Sequence, residues 1–499
     1  MGKRTRIPLH YIGWGLLLAW LFCTFYTRIT ALALPSPAIE PLGGFAMRAA
    51  FAIAPVLFAV VTILALIAGE RRCSDMESSK GLSIVAACVT GAFTPLMYLR
   101  TGDAALDGAS YLVGGIASGI GSGFMWVSWG ALYAKLDQET TESASIIACA
   151  GAILVALGVS AMVGWAAVGL VSSLPLVSGW LLRLSWLDQS EAEPGRKCDG
   201  APSRTIAANK EKPLEALSRV WKGSWGLLYL SVFVCIAGSF WERSDTISPS
   251  FQAVLVIGVL FVIGVGLMAQ FGPRQTSIVF LCRWASPLVV LALALVAIDT
   301  SETGLFIASS IALLCRFAFC MVTQMHFARF AKRGLATPIQ AYGVGWILIH
   351  VGDLVGLLAF EAVSASDPIG GRLFALASIV VLVAGVMVFL GRDDSFVTPA
   401  QIAAMPPVDD KGHRQNSEQD AASRREGFED PREQRILQLA RSFGLTERET
   451  AVFELLMKGR SVPYIRDELV ISKNTVATHV KHIYAKSGVH TRQELLDLM

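Results

Sequence analysis

The chain has 499 residues, 54% of them hydrophobic and only 16% charged. Soluble domains carry nearer a quarter charged residues, so this composition excludes an ordinary soluble protein and points to membrane spans with interfacial aromatics among the 12 Trp. The formal net charge of +3 excludes little as a total; its distribution along the loops is what carries information. Nine Cys are scattered without a Cys-x-x-Cys pair, which argues against a zinc site or a disulfide framework.

A span needs about 20 mostly apolar residues. Such runs lie at roughly 8–27, 43–68, 82–99, 109–134, 144–162, 164–184, 225–243, 251–271, 277–298, 303–327, 341–362 and 372–391, about twelve in all. The fifth and sixth almost touch, with a boundary near Val163–Gly164. The runs divide six and six around a polar central loop, 185–222, rich in Lys, Arg, Glu and Pro. The basic start of the chain is followed by no small-residue cleavage pattern, so the first run reads as a retained span.

Loop charge sets an orientation. With the N-terminus inside, the cytoplasmic loops hold Lys3, Arg4, Arg6, Arg71, Arg72, Lys80, Lys135, Arg196, Lys197, Arg204, Lys210, Lys212, Arg219, Lys222, Arg274, Arg329, Lys332 and Arg333. The opposite loops hold little beyond Arg28, Arg100, Arg243 and Arg372. The positive-inside rule therefore favours cytoplasmic N- and C-termini in the cell membrane.

A charge at the centre of a span costs about 2.5–3.5 kcal/mol on insertion scales, so each one needs a reason. Arg316 lies near the middle of the tenth span; His350 and Asp353 sit three apart on the eleventh, hence on one face. Arg48 and Arg283 lie about two turns inside theirs. Three readings stand open, one of them being that these charges snorkel or that the span boundaries lie elsewhere. Arg316 and Asp353 form an internal pair that locks two helices, or Arg316, His350 and Asp353 surround a central cavity that takes an acidic or polar small molecule or a proton. Trp126 and Trp129 of the fourth span line a pocket or mark an interface, and Trp126 joins the ligand-binding candidates. Gly115, Gly119 and Gly123 form a small-residue stripe suited to close helix packing, and His326 is expected at the membrane interface.

Residues 1–391 are thus expected to form the membrane domain and 392–429, polar and of mixed charge with Pro406-Pro407, a flexible cytoplasmic tether. A last domain spans 430–499. Its first helix follows Asp430-Pro431 and shows one apolar stripe, Ile436, Leu439, Ala440 and Phe443, ending at Gly444. That stripe packs on the domain itself or makes a dimer contact. Thr446-Glu447-Arg448-Glu449 is a capping box opening a helix with Val452, Phe453, Leu455 and Leu456, and a short helix runs from Ser461 to about Leu469. Ser472 caps the next helix, on which Val476, Val480 and Ile483 recur at core spacing while Lys473, Thr478, Lys481, His482 and Lys486 occupy the other face. Gly488 ends it, and Thr491-Arg492-Gln493-Glu494 opens a final helix. Four short helices with a tight turn into the third make helix-turn-helix architecture.

Residues 445–495 resemble the LuxR-type helix-turn-helix domain of bacterial transcription regulators. The resemblance rests on Leu445-Thr446-Glu447-Arg448-Glu449, Leu455-Leu456, Gly459-Arg460-Ser461, Ile465, Leu469, Ile471-Ser472, Asn474-Thr475-Val476, His479-Val480, His482-Ile483-Tyr484, Lys486, Gly488-Val489 and Arg492. It implies binding of double-stranded DNA as a homodimer through the last helix, with the base-contacting face on Ala477, Thr478 and Lys481. The DNA-binding candidates are Lys473, Asn474, Thr475, Ala477, Thr478, Lys481, His482 and Lys486. The six-plus-six layout of residues 8–391 resembles the major facilitator superfamily, although Gly69-Glu70-Arg71-Arg72-Cys73-Ser74-Asp75 departs from that family's signature loop.

The expected fold class is all-α: a polytopic bundle of about twelve transmembrane helices, six plus six, followed by a small four-helix DNA-binding domain. No phosphate-binding glycine loop, zinc helix motif or nucleophile elbow occurs, so neither an enzyme site, a cofactor nor a metal is expected. The expected function is a membrane-embedded one-component transcription regulator governed by a small-molecule signal. The alternative is a transporter with an appended DNA-binding domain.

Overall fold

The computed structural model describes residues 8–27, 29–32, 45–69, 80–192, 213–240, 249–271, 278–332, 336–364, 368–391, 431–457, 465, 473–489 and 494–495. Among them there is no β-strand. The expected tether, most of 461–469, Ser472 and the box at Thr491 lie outside the described residues. The chain divides into two compact units, Met1–Thr398 and Pro399–Met499.

The first unit opens with a 3₁₀ turn (Leu9–Gly13), α1 (Trp14–Leu21) and a π turn (Phe22–Tyr26), followed by the short α2 (Ile29–Leu32). Next come α3 (Phe45–Gly69), α4 (Lys80–Phe93) with a 3₁₀ extension (Thr94–Tyr98), α5 (Ala104–Lys135), α6 (Gln138–Ser160) and α7 (Trp165–Ala192). The second half holds α8 (Pro213–Ser239), α9 (Pro249–Phe271), α10 (Ile278–Ile298), α11 (Glu302–Lys332), α12 (Pro338–Ser364) and α13 (Pro368–Gly391). A helix stands at each expected span. Among the described residues, eight segments are long and apolar enough to cross a membrane, with shorter apolar stretches at Ile53–Gly69, Gly226–Ser239 and Ala285–Ile298. The turn between α6 and α7 falls at 161–164, where Gly164 takes a φ of +71°.

Several helices reach further than their apolar runs; α7 continues to Ala192 and α8 starts at Pro213, so both ends of the expected loop 185–222 are helical. The Asp137 carboxylate accepts the Thr140 N–H at 2.8 Å and so starts α6 at Gln138, six residues before the apolar run at 144. α11 continues through Lys332, which puts Arg329 and Lys332 on a helix where a loop was expected.

Small residues set the closest approaches. A Cβ on Gly119 would meet the Pro55 carbonyl oxygen of α3 at 2.3 Å, and one on Gly123 the Ala59 oxygen at 2.7 Å. The expected glycine stripe therefore is the α3–α5 contact. In the second half, Gly352 and Gly356 play the same part, with Cβ positions 2.6 Å and 2.5 Å from the Leu228 and Val232 oxygens of α8.

The halves meet where α5 ends and α12 begins. A Cβ on Gly130 would strike the Tyr342 ring, and Trp126 stacks on Trp346 with centroids 4.0 Å apart. Every residue of α11 from Cys315 to Ala331 is buried.

The second unit has α14 (Pro431–Ser442), α15 (Glu447–Met457) and α16 (Lys473–Ser487). Ile436, Ala440, Val452, Phe453, Leu456, Met457, Ile465, Ile483, Val489 and Leu495 form one core, with Leu439, Phe443, Val480 and Tyr484 packed against it. The α14 stripe is consumed in this core, so of its two open roles the structure takes packing on the domain. Gly444 (φ +62°) and Gly488 (φ +71°) end α14 and α16 in the left-handed region. Leu445 N–H returns to Ala440 O at 3.1 Å and Val489 N–H to Tyr484 O at 3.2 Å, which satisfies the last-turn carbonyls.

Candidate DNA-binding face and intramembrane network

α16 is held on its domain by one carboxylate. Glu449 sits at the third position of the Thr446 capping box: the Thr446 N–H donates to its Oε2 at 2.9 Å, and the Glu449 N–H points back to Thr446 Oγ1 at 3.4 Å. The same Oε2 accepts from Lys486 Nζ at 2.7 Å, and His482 Nδ1 lies 3.5 Å from Oε1. Lys486 also donates to the Gly444 carbonyl at 3.1 Å. The hydrogen bond from the Lys486 ammonium, then the Thr446 backbone N–H, pull the Glu449 carboxyl down to about 2. Lys486, expected on the DNA-contacting face, is thus engaged with the scaffold.

Of the other candidates, Thr478, Lys481 and His482 are exposed on α16 while Ile483 is fully buried. Lys473, Asn474, Thr475 and Ala477 lie in the first turns of the same helix. A short helix with apolar residues on the core side and Thr, Lys and His outward has the form that enters a major groove, where phosphate contacts set register and base edges set sequence.

Inside the membrane unit, both expected partners are found together. Arg316 NH2 is hydrogen-bonded to Asp353 Oδ1, with side chains only 5% and 13% exposed. The pair has further company that the sequence did not indicate. Tyr26 Oη donates to Asp353 Oδ2 at 2.9 Å, and Ser231 Oγ accepts from Arg316 NH1 at 3.5 Å. The guanidinium also lies over the Tyr26 ring, 4.9 Å from its centroid. Tyr26 belongs to the first half of the bundle and the other three to the second, so this network crosses the interface between halves. His350 is buried one turn from Asp353, its ring 5.6 Å from Trp346. Trp126 is buried against Trp346, while Trp129 donates its indole N–H to Ser178 Oγ at 3.0 Å.

A second buried ion pair was missed at the sequence level. Arg329 Nε donates to Glu142 Oε1 at 3.0 Å, Gln138 Nε2 donates to the same oxygen at 2.8 Å, and Lys332 Nζ donates to Thr141 Oγ1 at 2.7 Å. It joins α6 to α11 at the basic end. Hydropathy counts Gln138–Glu142 as loop, and only the Asp137 cap in the sequence hinted that the helix starts there. His326 is 1% exposed, packed beside Phe327 and Phe330 in the buried stretch of α11. The side chains of Arg48 and Arg283 are outside the described residues. Among the described residues no group of three or more His, Cys, Asp or Glu is placed to hold a metal ion.

The two units define a class: a helical membrane bundle continued by a helix-turn-helix domain. Comparison with known proteins gives the second its family. Residues 444–499 match the model for bacterial regulatory proteins, luxR family. The spore germination protein GerE of Bacillus subtilis (strain 168) is 42% identical over 50 residues, 10% of this chain and 68% of that protein. The Fimbriae Z protein of Escherichia coli (strain K12) is 40% identical over 53 residues, 11% of this chain and 25% of its own length. The HTH-type transcriptional regulator MalT of Serratia proteamaculans (strain 568) is 39% identical over 59 residues, 12% of this chain and 6% of MalT. Through this domain the chain belongs to the luxR family of bacterial regulatory proteins. The chain spans a quarter or less of the length of MalT and Fimbriae Z.

The membrane unit is similar in fold to a bacterial homologue of the iron transporter ferroportin solved in an outward-facing state. The TM-score is 0.50 at 12% identity, over 77% of this chain and 99% of that one. The major facilitator superfamily transporter FucP aligns over 76% of this chain and 98% of its own, with a TM-score of 0.45 and 12% identity.

Proposed function

We propose that the chain is a membrane-embedded one-component transcription regulator: the bundle senses a small molecule and changes the DNA-binding state of the C-terminal domain. The observation that carries this reading is a luxR-family domain with its own core, on the same chain as a bundle with a buried polar network across its two halves. A rocking of those halves is the kind of two-state element that a ligand biases by binding one state more tightly.

In this reading Thr478, Lys481 and His482, with Lys473, Asn474, Thr475 and Ala477 in the first turns, face DNA, and Lys486 fixes the helix from behind. Arg316, Asp353, His350 and Trp126 belong to the sensing centre. The basic end of the bundle is cytoplasmic by the positive-inside rule, with both termini on the cytoplasmic side of the cell membrane. The DNA-binding form is a homodimer. Capture of genomic fragments by the full-length protein in nanodiscs tests the DNA role. Discrete enriched sites that disappear in Lys481→Ala support it, and uniform retention of all fragments counts against it.

A second reading has one observation in its favour, the fold likeness to a transporter at a TM-score of 0.50. On it the protein moves a solute and the C-terminal domain is accessory. Solute flux in proteoliposomes that Asp353→Asn abolishes would support it.

A further inference from the structure

α11 and α12 run antiparallel and touch at two levels. Arg316 meets Asp353 at one, and Tyr342 Oη donates to the Gln324 carbonyl at 3.4 Å at the other. Between these levels lie Trp346 and His350 of α12, with Trp126 of α5 stacked on Trp346. This stretch concentrates buried polar atoms with no partner among the described residues: Trp126 Nε1, His350 Nε2 and both amide atoms of Gln324. Their residues are 1%, 5% and 1% exposed. Native interiors leave few such atoms unpaired, so three of these side chains on adjoining helices ask for a polar partner from outside the chain.

The chemistry of that partner follows from the neighbours. Arg316 and Asp353 already neutralise each other, and a charged ligand would have to displace one and leave the other buried without its counter-charge. The groups without partners among the described residues are of mixed sense: an indole N–H that only donates, an amide that donates and accepts, and an imidazole nitrogen. Trp126 and Trp346 add aromatic surface beside them. We propose that Trp126, Gln324 and His350, with the Trp346 ring, bind an uncharged small molecule that carries several hydroxyl or amide groups beside an apolar face. The proposal rests on the sensing role put forward above. It selects the polar over the acidic ligand class and adds Gln324, which no charge pattern in the sequence marks.

The test uses the full-length protein in nanodiscs, followed by tryptophan fluorescence and thermal melting. The uncharged probes are D-glucose, myo-inositol, uridine and nicotinamide; the charged ones are D-glucuronate, L-glutamate, nicotinate and spermidine. At least one uncharged probe is expected to bind and to raise the melting temperature, and no charged one. Gln324→Leu, an apolar replacement of similar volume, is expected to weaken that binding about tenfold or more, the loss of roughly one well-made hydrogen bond to a buried group. Trp126→Phe keeps an aromatic ring on Trp346, removes only the donor and should weaken binding in the same direction; it serves if Gln324→Leu does not fold. Binding confined to charged probes, binding that both variants leave intact, or no binding by any probe overturns the proposal. Binding that leaves DNA affinity unchanged would keep the site and remove the sensing role. A DNA response to a probe that ignores both variants would do the reverse.

Discussion

Glu449 shows how one side chain ties α16 to its domain. It closes the Thr446 capping box and accepts the Lys486 ammonium at 2.7 Å, so α15 and α16 share a single buried carboxylate. Its carboxyl titrates at about 2 in the folded domain against an ordinary 4.5. The unfolded chain therefore takes up the proton first. The contribution is complete above about 4.5 and is lost as pH falls toward 2. Hydrogen exchange of the full-length protein should show α15 and α16 losing protection in that window, and Lys486→Met should lower protection at neutral pH and flatten the acid dependence. Lys481, exposed and outward, behaves differently. Lys481→Ala should lower affinity most at the preferred sites and reduce the salt slope by about one charge contact, measured by DNA titration over a range of salt. Thr478→Ala should instead shift preference at one base pair by about 1–3 kcal/mol across a site library.

At the scale of elements, the Arg316–Asp353 pair makes a two-sided prediction. Breaking a buried pair strands a charge and costs about 3–5 kcal/mol, whereas replacing both partners by apolar residues is often neutral. Asp353→Leu alone should lower the melting temperature sharply, and Arg316→Met with Asp353→Leu should restore most of it. Restoration in the double variant together with loss of signal response would separate stability from sensing. The α3–α5 contact predicts a graded series: Gly119→Ala costs about 1–3 kcal/mol because a Cβ has no room beside the Pro55 oxygen, and Gly119→Leu prevents assembly. The Arg316–Asp353 pairing and the glycine contact were both legible in the sequence, since charges inside apolar runs and small residues at i, i+4, i+8 need an explanation wherever they occur. Their partners were less so. Tyr26 is 327 residues from Asp353, and nothing local marks a phenol for a carboxylate in the other half. Glu142 and Arg329 were hidden because hydropathy assigns polar helix ends to loops, although a helix end inside a bundle can be as buried as its middle.

Over the whole molecule, the all-helical class and the luxR-type domain could be read directly, because dense fixed spacings and long apolar runs are properties of sequence alone. The ring contacts between the halves could not, since they depend on which aromatic side chains of α5, α11 and α12 interleave. The central claim is that this bundle governs where the C-terminal domain sits on DNA. The direct measurement is genome-wide occupancy of the full-length protein in its native host, with cross-linking, at matched abundance. It compares the wild type, Lys481→Ala, and the Arg316→Met with Asp353→Leu double variant. The account predicts discrete sites in the wild type, their loss in Lys481→Ala, and altered occupancy in the double variant although its DNA-facing helix is untouched. Occupancy identical in the wild type and the double variant, under every growth condition that changes it, would contradict control by the bundle.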